Sequence, residues 1–226
     1  MAKLLIIIPA FNEAPMLGKV IRSIPRKIVN FKTDILVIDD GSVDQTSKIA
    51  KNNNVCIIRH LINRGLGAAL ATGFEYAINN HYQHIVTFDA DGQHQPQDIP
   101  QLLTPLIAGK ADIVIGSRLI QPNSMPFFRR IINYLSNIAT FLLFNVWTTD
   151  SQSGLRAFNI ATLKRIHLNS QRMEVSSEIF KEINRLKLRL VEVPIQTIYT
   201  AYSLRKGQPI ENAPGVLWKL IQHAFT

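Results

Sequence analysis

The stretch His84-Ile85-Val86-Thr87-Phe88-Asp89-Ala90-Asp91-Gly92-Gln93 joins an apolar run directly to an acidic turn. The run from His84 to Phe88 predicts a buried strand. Apolar residues at helical spacing follow the turn and predict a covering helix; they are Ile99, Leu102, Leu103, Leu106 and Ile107. A strand that ends in a polar turn and precedes an amphipathic helix is typical of α/β proteins.

The same alternation extends on both sides of this stretch. Further strands are predicted at residues 3–8, 34–39, 55–59 and 111–115, with helices between them. Such βαβ units predict an α/β fold with a mostly parallel central sheet flanked by helices. Ligands of these sheets bind beyond the carboxyl ends of the strands. One crevice is therefore expected to hold the polar clusters Asn12-Glu13, Asp39-Asp40 and Asp89-Ala90-Asp91.

Two local patterns add detail to this half. Ser42 followed by Gln45 resembles a capping box, which predicts a helix that starts at Ser42. Cys56 lies in an apolar run, which predicts a buried and inert thiol. Because it is the only cysteine, an intrachain disulfide framework and a multi-cysteine metal site are excluded. A single thiol fits a reducing cytosolic compartment.

The C-terminal half follows a different pattern. A loop with two prolines precedes a long helical stretch from Phe127 to Trp147, and residues 148–158 are polar and predict a turn. Further elements are predicted as a helix at 176–186, a strand at 188–195 and a terminal helix at 215–225. A chain of 226 residues is expected to form a single domain.

The formal net charge of +9 fits three partners: nucleic acid, an anionic membrane surface or a phosphorylated substrate. A nucleic-acid-binding module predicts a basic recognition helix or basic strands interleaved with aromatic residues, and the sequence has neither. The apolar stretch 131–147 is interrupted by polar residues, whereas a spanning helix needs roughly 20 mostly apolar ones. We therefore expect a soluble or peripheral protein.

The acidic turn carries the most specific chemistry. Asp89 and Asp91 at a strand end can both reach a hard cation, and Mg²⁺ or Mn²⁺ prefers oxygen ligands and shares its shell with substrate phosphates. Gln93 can add an amide oxygen. The alternative is a plain turn in which Asp91 caps a helix.

Other polar segments give weaker signals. Asp39 can accept a hydrogen bond from a base or a ribose, whereas Asp40-Gly41-Ser42 fits a turn. Asn12 either belongs to the site or caps a helix. Arg64 suits a phosphate or a base edge, although a plain glycine turn fits its loop equally well. The sequence has no G-x-G-x-x-G and no P-loop motif, so dinucleotide and P-loop sites lose their main support.

Six motifs stand in order along the chain; they are Pro9-Ala10-Phe11-Asn12-Glu13, Ile38-Asp39-Asp40-Gly41-Ser42, Asn63-Arg64-Gly65-Leu66-Gly67-Ala68, Asp89-Ala90-Asp91-Gly92-Gln93-His94, Gly116-Ser117-Arg118 and Asp150-Ser151-Gln152-Ser153-Gly154-Leu155-Arg156-Ala157-Phe158. In this order they resemble the family 2 glycosyltransferases of GT-A fold, and among them the polyprenyl-phosphate (dolichyl-phosphate) sugar synthases. The resemblance covers roughly residues 3–210. It implies a nucleotide-sugar-binding half at 1–118 and an acceptor-binding half with an interface helix at 119–226.

The resemblance also implies residue roles. Asp89, Asp91 and Gln93 would hold Mg²⁺ or Mn²⁺. Arg118, Arg129 and Asn133 would bind the acceptor phosphate, with Asn133 standing where the family often has serine. Asp91, Asp150 and Arg118 would be catalytic, and a loop with Arg205 and Lys206 would close over the donor phosphates. The nucleotide pocket would be lined by Pro9, Phe11, Asn12, Glu13, Asp39, Asp40, Arg64, Gly67, Asp89 and Ala90.

The implied reaction is the inverting transfer of a hexose from a GDP- or UDP-linked sugar to polyprenyl phosphate. A phosphate monoester has a second pKa of about 6, so it is already ionised near neutrality and needs a general base less than a hydroxyl does. Asp150 either acts as a base, orients the acceptor, or only caps its turn. The alternative within the family is transfer to a sugar hydroxyl in surface polysaccharide synthesis, which depends on a base.

Residues 127–132 mix aromatic, basic and aliphatic side chains, as interfacial helices do. The alternative is a core helix with a solvated basic end. Together with the resemblance, this pattern predicts a cytoplasmic protein, peripheral at the inner face of an anionic membrane or attached there through a membrane-protein partner. The expected substrates are a nucleotide sugar and a polyprenyl phosphate lipid, and no nucleic acid is expected to bind.

Overall fold

The structure is a computed structural model that describes residues 3–121, 125–168 and 174–199 together with Tyr202. The strands of this part are β1 (Lys3–Ala10), β2 (Lys27–Ile28), β3 (Phe31–Asp39), β4 (Cys56–Arg59), β5 (His84–Thr87), β6 (Ile113–Ser117), β7 (Arg156–Asn159) and β8 (Leu190–Pro194). Its α-helices are α1 (Ala14–Ser23), α2 (Thr46–Asn52), α3 (Leu66–Asn79), α4 (Ile99–Ile107), α5 (Phe127–Phe144), α6 (Ile160–Leu163) and α7 (Val175–Leu186).

The strands form one sheet in the order β2-β3-β1-β5-β7-β6-β8, and β4 pairs with β3. The pairs β1–β3, β1–β5, β3–β4 and β6–β8 are parallel. Antiparallel pairing occurs where β2 meets β3 and where β7 meets both β5 and β6. The prediction of a mostly parallel central sheet flanked by helices is therefore confirmed.

Helices cover both faces of the sheet, and β1 shows why its sequence is continuously apolar. Ile6 and Ile8 pack in the core that includes α1 and α4, whereas Leu5 and Ile7 pack in the core that includes α3 and α7. Successive side chains of a strand point to opposite faces, so a strand buried on both faces needs apolar residues at every position.

Strand β7 is the main departure from the predicted elements. Residues 148–158 were expected to form a polar turn, but residues 156–159 enter the sheet between β5 and β6. The strand is only four residues long and begins with Arg156, so it has no apolar run of its own. Ala157 and Phe158 are fully buried on opposite faces. Its neighbours, rather than its own sequence, make this segment a strand.

Three local predictions were wrong. Cys56 is exposed, because β4 pairs with β3 alone and lies at the margin of the sheet. Ser42 does not cap α2, which begins at Thr46; its hydroxyl instead accepts a hydrogen bond from the Asn12 amide at 2.9 Å. Helix α5 ends at Phe144 rather than at 147, because Asn145 adopts a left-handed conformation. The helix predicted at 215–225 lies outside the described residues.

In the described part of the chain, no helix combines the length and the apolar character that crossing a membrane requires.

The central position of β7 is testable through Phe158, which packs edge-on against Phe74 with ring centroids 5.3 Å apart. We expect Phe158→Ala to lower the free energy of unfolding by about 3–5 kcal/mol, because it leaves a cavity beside the sheet. Urea unfolding measures this loss. The matched control is Phe128→Ala on α5, where the side chain is 66% exposed and a change within about 0.5 kcal/mol is expected. Equal small losses in both variants would contradict the buried position of β7.

Candidate active site

The predicted polar clusters meet at the carboxyl ends of β1, β3 and β5. The end of β1 is joined to the segment after β3 by two backbone-to-hydroxyl bonds of 2.9 Å, from Asn12 to Ser42 and from Glu13 to Thr46. Glu13 also accepts a hydrogen bond from the Tyr202 hydroxyl at 2.8 Å. Burial and Glu13 raise the pKa of Tyr202, and the negative charge of Asp91 raises it further. Because Asp91 follows β5, the end of that strand lies near Tyr202.

A cavity of about 340 Å³ opens beside these strand ends. Of the predicted nucleotide-binding residues, Pro9, Phe11 and Asp40 line it, whereas Gly67 is buried in α3 and does not. Its walls are mostly apolar, and the ring of Phe11 is 41% exposed. Such a cavity suits a flat heterocyclic base. The full lining is Pro9, Ala10, Phe11, Asp40, Asn63, Gly65, Leu66 and Ala69.

Asp40 orders one wall of this cavity. Its carboxylate accepts hydrogen bonds from the backbone amides of Arg64 at 2.9 Å and Gly65 at 2.7 Å. His60 Nδ1 lies 2.7 Å from the same carboxylate. Asp40 therefore shapes the loop before α3, and His60 is a neighbour that sequence analysis missed.

Asp39 is fully buried and also bonded within the protein. It accepts hydrogen bonds from the Ser42 amide at 2.9 Å and from the Ser47 hydroxyl. Arg59 Nε lies 3.5 Å from it. Its predicted contact with a base or a ribose stays a prediction.

Asp89 and Asp91 follow β5, with the buried Ala90 between them. His94 Nε2 lies 2.8 Å from Asp89 Oδ2. Burial alone would raise the pKa of Asp89, but the bond to His94 and the positive charges of Arg118 and Arg156 outweigh it, so the pKa is lowered.

The pKa of Asp91, the second carboxyl group of the turn, shifts in the opposite direction. Burial and the charge of Asp89 raise the pKa of Asp91, although Gln93 donates to it from its backbone amide at 2.9 Å and from its side-chain amide at 2.7 Å. Within the described residues, no three or more His, Cys, Asp or Glu side chains form a metal-holding group. A cation at this turn therefore needs ligands beyond the two carboxylates, and Gln93 offers an amide oxygen.

Arg118 and Asp150 form a buried ion pair across the crevice. Arg118 donates from Nε to Oδ2 and from Nη2 to Oδ1, both at 2.7 Å, and its backbone amide donates to Oδ2 at 3.0 Å. Burial would lower the pKa of Arg118, but Asp150 outweighs it and the pKa is raised. In the described part of the chain, no acceptor is hydrogen-bonded to Nη1 of Arg118.

A turn at residues 151–154 packs against Asp89. Thr87 Oγ1 donates to the Gly154 carbonyl at 2.7 Å. The buried Arg156 donates to the carbonyls of Ser151 and Ser153, each at 2.9 Å. Burial lowers the pKa of Arg156 to about 10, so it remains a cation near neutrality. Arg156 lies within the motif at residues 150–158, but the motif by itself indicates no role for it.

Of the predicted acceptor residues of α5, Arg129 lies beside Tyr199. The guanidinium carbon of Arg129 is 5.8 Å from the centre of its ring. Burial raises the pKa of Tyr199, and the charges of Arg118 and Arg129 oppose that rise, so both arginines are close to it. Asn133 Nδ2 lies 3.7 Å from Met125 Sδ. Arg205 and Lys206 lie outside the described residues.

Residues 5–166 match glycosyl transferase family 2, and the chain belongs to that family. It is 43% identical to an uncharacterised protein of Methanocaldococcus jannaschii over 97% of this chain and 91% of the relative. It is 37% identical to the UDP-N-acetylglucosamine–dolichyl-phosphate N-acetylglucosaminyltransferase of Methanococcus voltae, over 96% of this chain and 94% of the relative. The undecaprenyl-phosphate mannosyltransferase of Micrococcus luteus is 32% identical over 85% of this chain and 82% of the relative.

Among solved structures, glucosyl-3-phosphoglycerate synthase from Mycobacterium tuberculosis, crystallised with Mn²⁺, UDP and glucosyl-3-phosphoglycerate, has a TM-score of 0.77. The match covers 97% of this chain and 77% of that chain at 18% sequence identity. The chain therefore has the GT-A fold, and the family and fold that the six motifs predicted are confirmed.

The contact between Gly154 and Asp89 gives a prediction. A Cβ atom at position 154 would overlap both carboxylate oxygens of Asp89, so Gly154→Ala should displace that side chain and break its bond to His94. The imidazole Nε2 proton of His94, protected from exchange by this bond, should be visible by NMR in the wild type and lost in the variant. Ser153→Ala in the same turn removes a hydroxyl that has no hydrogen-bond partner among the described residues, and it should leave the signal in place. A persistent signal in Gly154→Ala would contradict the contact.

Proposed function

We propose that this chain transfers a hexose, with inversion, from a GDP- or UDP-linked sugar to polyprenyl phosphate. The observation that carries the proposal is the position of Arg118, which Asp150 holds close enough to Asp89 for the charge of Asp89 to raise the pKa of the guanidinium. A cation for one phosphate thus adjoins carboxylates suited to a metal-bound diphosphate. The relatives named as dolichyl- and undecaprenyl-phosphate sugar transferases support the same acceptor class.

The donor is assigned to residues 1–118. Its base occupies the cavity beside Phe11 and Asp40, and its diphosphate lies towards Asp89 and Asp91. The charge of Asp89 raises the pKa of Asp91, so these carboxylates repel each other and a cation between them relieves the repulsion. Asp89, Asp91 and Gln93 fit Mg²⁺ or Mn²⁺, which when bound offsets the charge that develops on the leaving diphosphate. The Mn²⁺ complexes of the M. tuberculosis synthase support a divalent cation.

The acceptor phosphate is assigned to residues 119–226 together with Arg118. Asp150 accepts hydrogen bonds from Nε and Nη2 of Arg118. Nη1 therefore remains to donate to phosphate oxygens. Arg129 and Asn133 add donors from α5. Both oxygens of Asp150 already accept from Arg118, so we assign Asp150 the orientation of that arginine rather than proton removal. An ionised phosphate needs no strong base, whereas a sugar hydroxyl does.

We assign helix α5 the role of binding an anionic membrane surface at the cytoplasmic face. Its buried side carries the polar residues Ser136, Asn137 and Thr140, whereas many of its large apolar side chains are exposed. This is the reverse of an ordinary surface helix. Basic side chains at its first turn suit anionic headgroups. The exposed apolar residues are Phe127, Phe128, Ile131, Tyr134, Leu135, Phe141 and Leu142.

The reaction is tested with a panel of GDP- and UDP-sugars, a short polyprenyl phosphate and Mg²⁺ or Mn²⁺. We expect a lipid-linked sugar from the wild type, and roughly a hundredfold or greater loss with EDTA or with Asp91→Asn, because metal charge contributes several kcal/mol to such transition states. Asp34→Asn is the control, since Asp34 on β3 accepts a hydrogen bond from Tyr82, away from the carboxyl ends of the strands. Full transfer by Asp91→Asn contradicts the metal assignment. Donor hydrolysis without lipid product contradicts the acceptor.

Membrane binding is tested by co-sedimentation with vesicles that contain phosphatidylglycerol and no protein. We expect the double variant Phe128→Glu and Leu142→Glu to bind about tenfold more weakly or worse, because each large apolar side chain gains about 1.5–3 kcal/mol on leaving water. Added salt should weaken wild-type binding as well. Leu61→Glu changes a fully exposed apolar residue outside α5 and should bind normally. Wild-type protein that does not bind these vesicles would favour a membrane-protein partner instead.

A further inference from the structure

Glu192 is an acidic residue of β8 that lies outside the set of residues assigned to the proposed reaction. Its Oε1 accepts hydrogen bonds from the Thr148 hydroxyl at 2.8 Å and from the Thr149 amide and hydroxyl, each at 2.9 Å. Its Oε2 lies 3.0 Å from the same Thr149 amide. One carboxylate therefore accepts from three donors of the two residues that precede Asp150.

The bonds continue from Thr149 to the residues that flank Arg118. An ionised carboxylate only accepts, so the Thr149 hydroxyl proton points to Glu192. The Ser117 hydroxyl, 2.7 Å from Thr149 Oγ1, must then donate to it. Ser117 Oγ in turn accepts from the Leu119 amide at 3.2 Å. The acceptor-only character of Glu192 fixes the direction of this chain of hydroxyls.

Glu192 thus fixes, directly or through hydroxyl groups, the residues next to Arg118 and Asp150 without touching either of the two. On one side it bonds to Thr148, whose hydroxyl accepts from the Asp150 amide at 3.3 Å. On the other side the hydroxyl chain reaches the backbone on both sides of Arg118. Ser117, Thr148 and Asp150 are almost completely buried, so water does not readily replace these bonds.

We propose that Glu192 is a positioning residue that fixes the Arg118–Asp150 pair for the acceptor phosphate. The proposal rests on the proposed function, because it assigns Arg118 to that phosphate. A charged group that binds a transferring phosphate acts best when its geometry is set before the substrate arrives. Loss of Glu192 should therefore affect the acceptor and leave the donor cavity, which is built by other strand ends, unaffected.

The kinetic test compares Glu192→Ala, Glu192→Gln and the control Asp112→Asn. Asp112 pairs with Arg189 at 2.9 Å, at the opposite end of the β6–β8 pair, so its loss weakens the same strands away from the crevice. We expect Glu192→Ala to raise the KM for polyprenyl phosphate about tenfold with an unchanged donor KM. Glu192→Gln, which keeps one acceptor oxygen, should recover most of this loss. Equal effects on both KM values, or the same effect from Asp112→Asn, would overturn the proposal.

Hydrogen exchange of the substrate-free protein separates this proposal from the proposed function. Glu192→Ala should speed amide exchange at 118–119 and 149–150, and Asp112→Asn should not. If Glu192→Ala exchanges faster but the wild type makes no lipid product, the positioning role is supported and polyprenyl phosphate is rejected as the acceptor. Unchanged exchange would overturn the positioning role even in an active enzyme. Should Glu192→Ala fail to fold, Thr149→Val tests the same hydroxyl chain and keeps the carboxylate in place.

Discussion

The antiparallel entry of β7 between β5 and β6 determines where residues 150–154 lie. In this register Arg156 is paired with Thr87 of β5 and with Ile115 of β6. Because β7 runs opposite to its neighbours, the turn before it meets the carboxyl ends of both. Asp89 follows Thr87 by two residues and Arg118 follows Ile115 by three. One strand thus brings the 150–154 segment against both Asp89 and Arg118.

This arrangement buries several charges that need compensation. Arg156 lies beneath the turn with only carbonyl oxygens as hydrogen-bond acceptors in the described residues, and its ring contact is Phe180 at 5.7 Å. Asp150 and Asp89 raise its pKa against the effect of burial, and its own charge helps to keep Asp89 ionised. An uncompensated charge at such a position would be costly, so the acids and the arginines of the crevice depend on one another.

The parts of the fold that could be predicted are those with local signals. The double-sided burial of β1 and the helical stripe of α4 are visible as apolar runs and spacing, and the turn after β5 is visible as a motif. Strand β7, the exposure of Cys56 and the hydrogen bonds of Ser42 depend on neighbours distant in sequence. The same holds for Glu192 and His60, whose partners lie 43 and 20 residues away. Motifs name the residues of the site, whereas the contacts that orient them come from the tertiary structure.

Helix α5 connects the acceptor side to the surface through its buried polar stripe. Asn137 donates to the Thr149 carbonyl at 2.6 Å and accepts from the Ser151 amide at 2.9 Å, so the helix is bonded on both sides of Asp150. These bonds turn its polar side inward and leave its apolar side exposed. Since the segment they hold also carries Asp150, the partner of Arg118, the orientation of α5 and the geometry of Arg118 are set together. In the reaction we propose, a lipid phosphate that approaches along the exposed face of α5 would therefore meet Arg129 and Arg118 in a fixed arrangement.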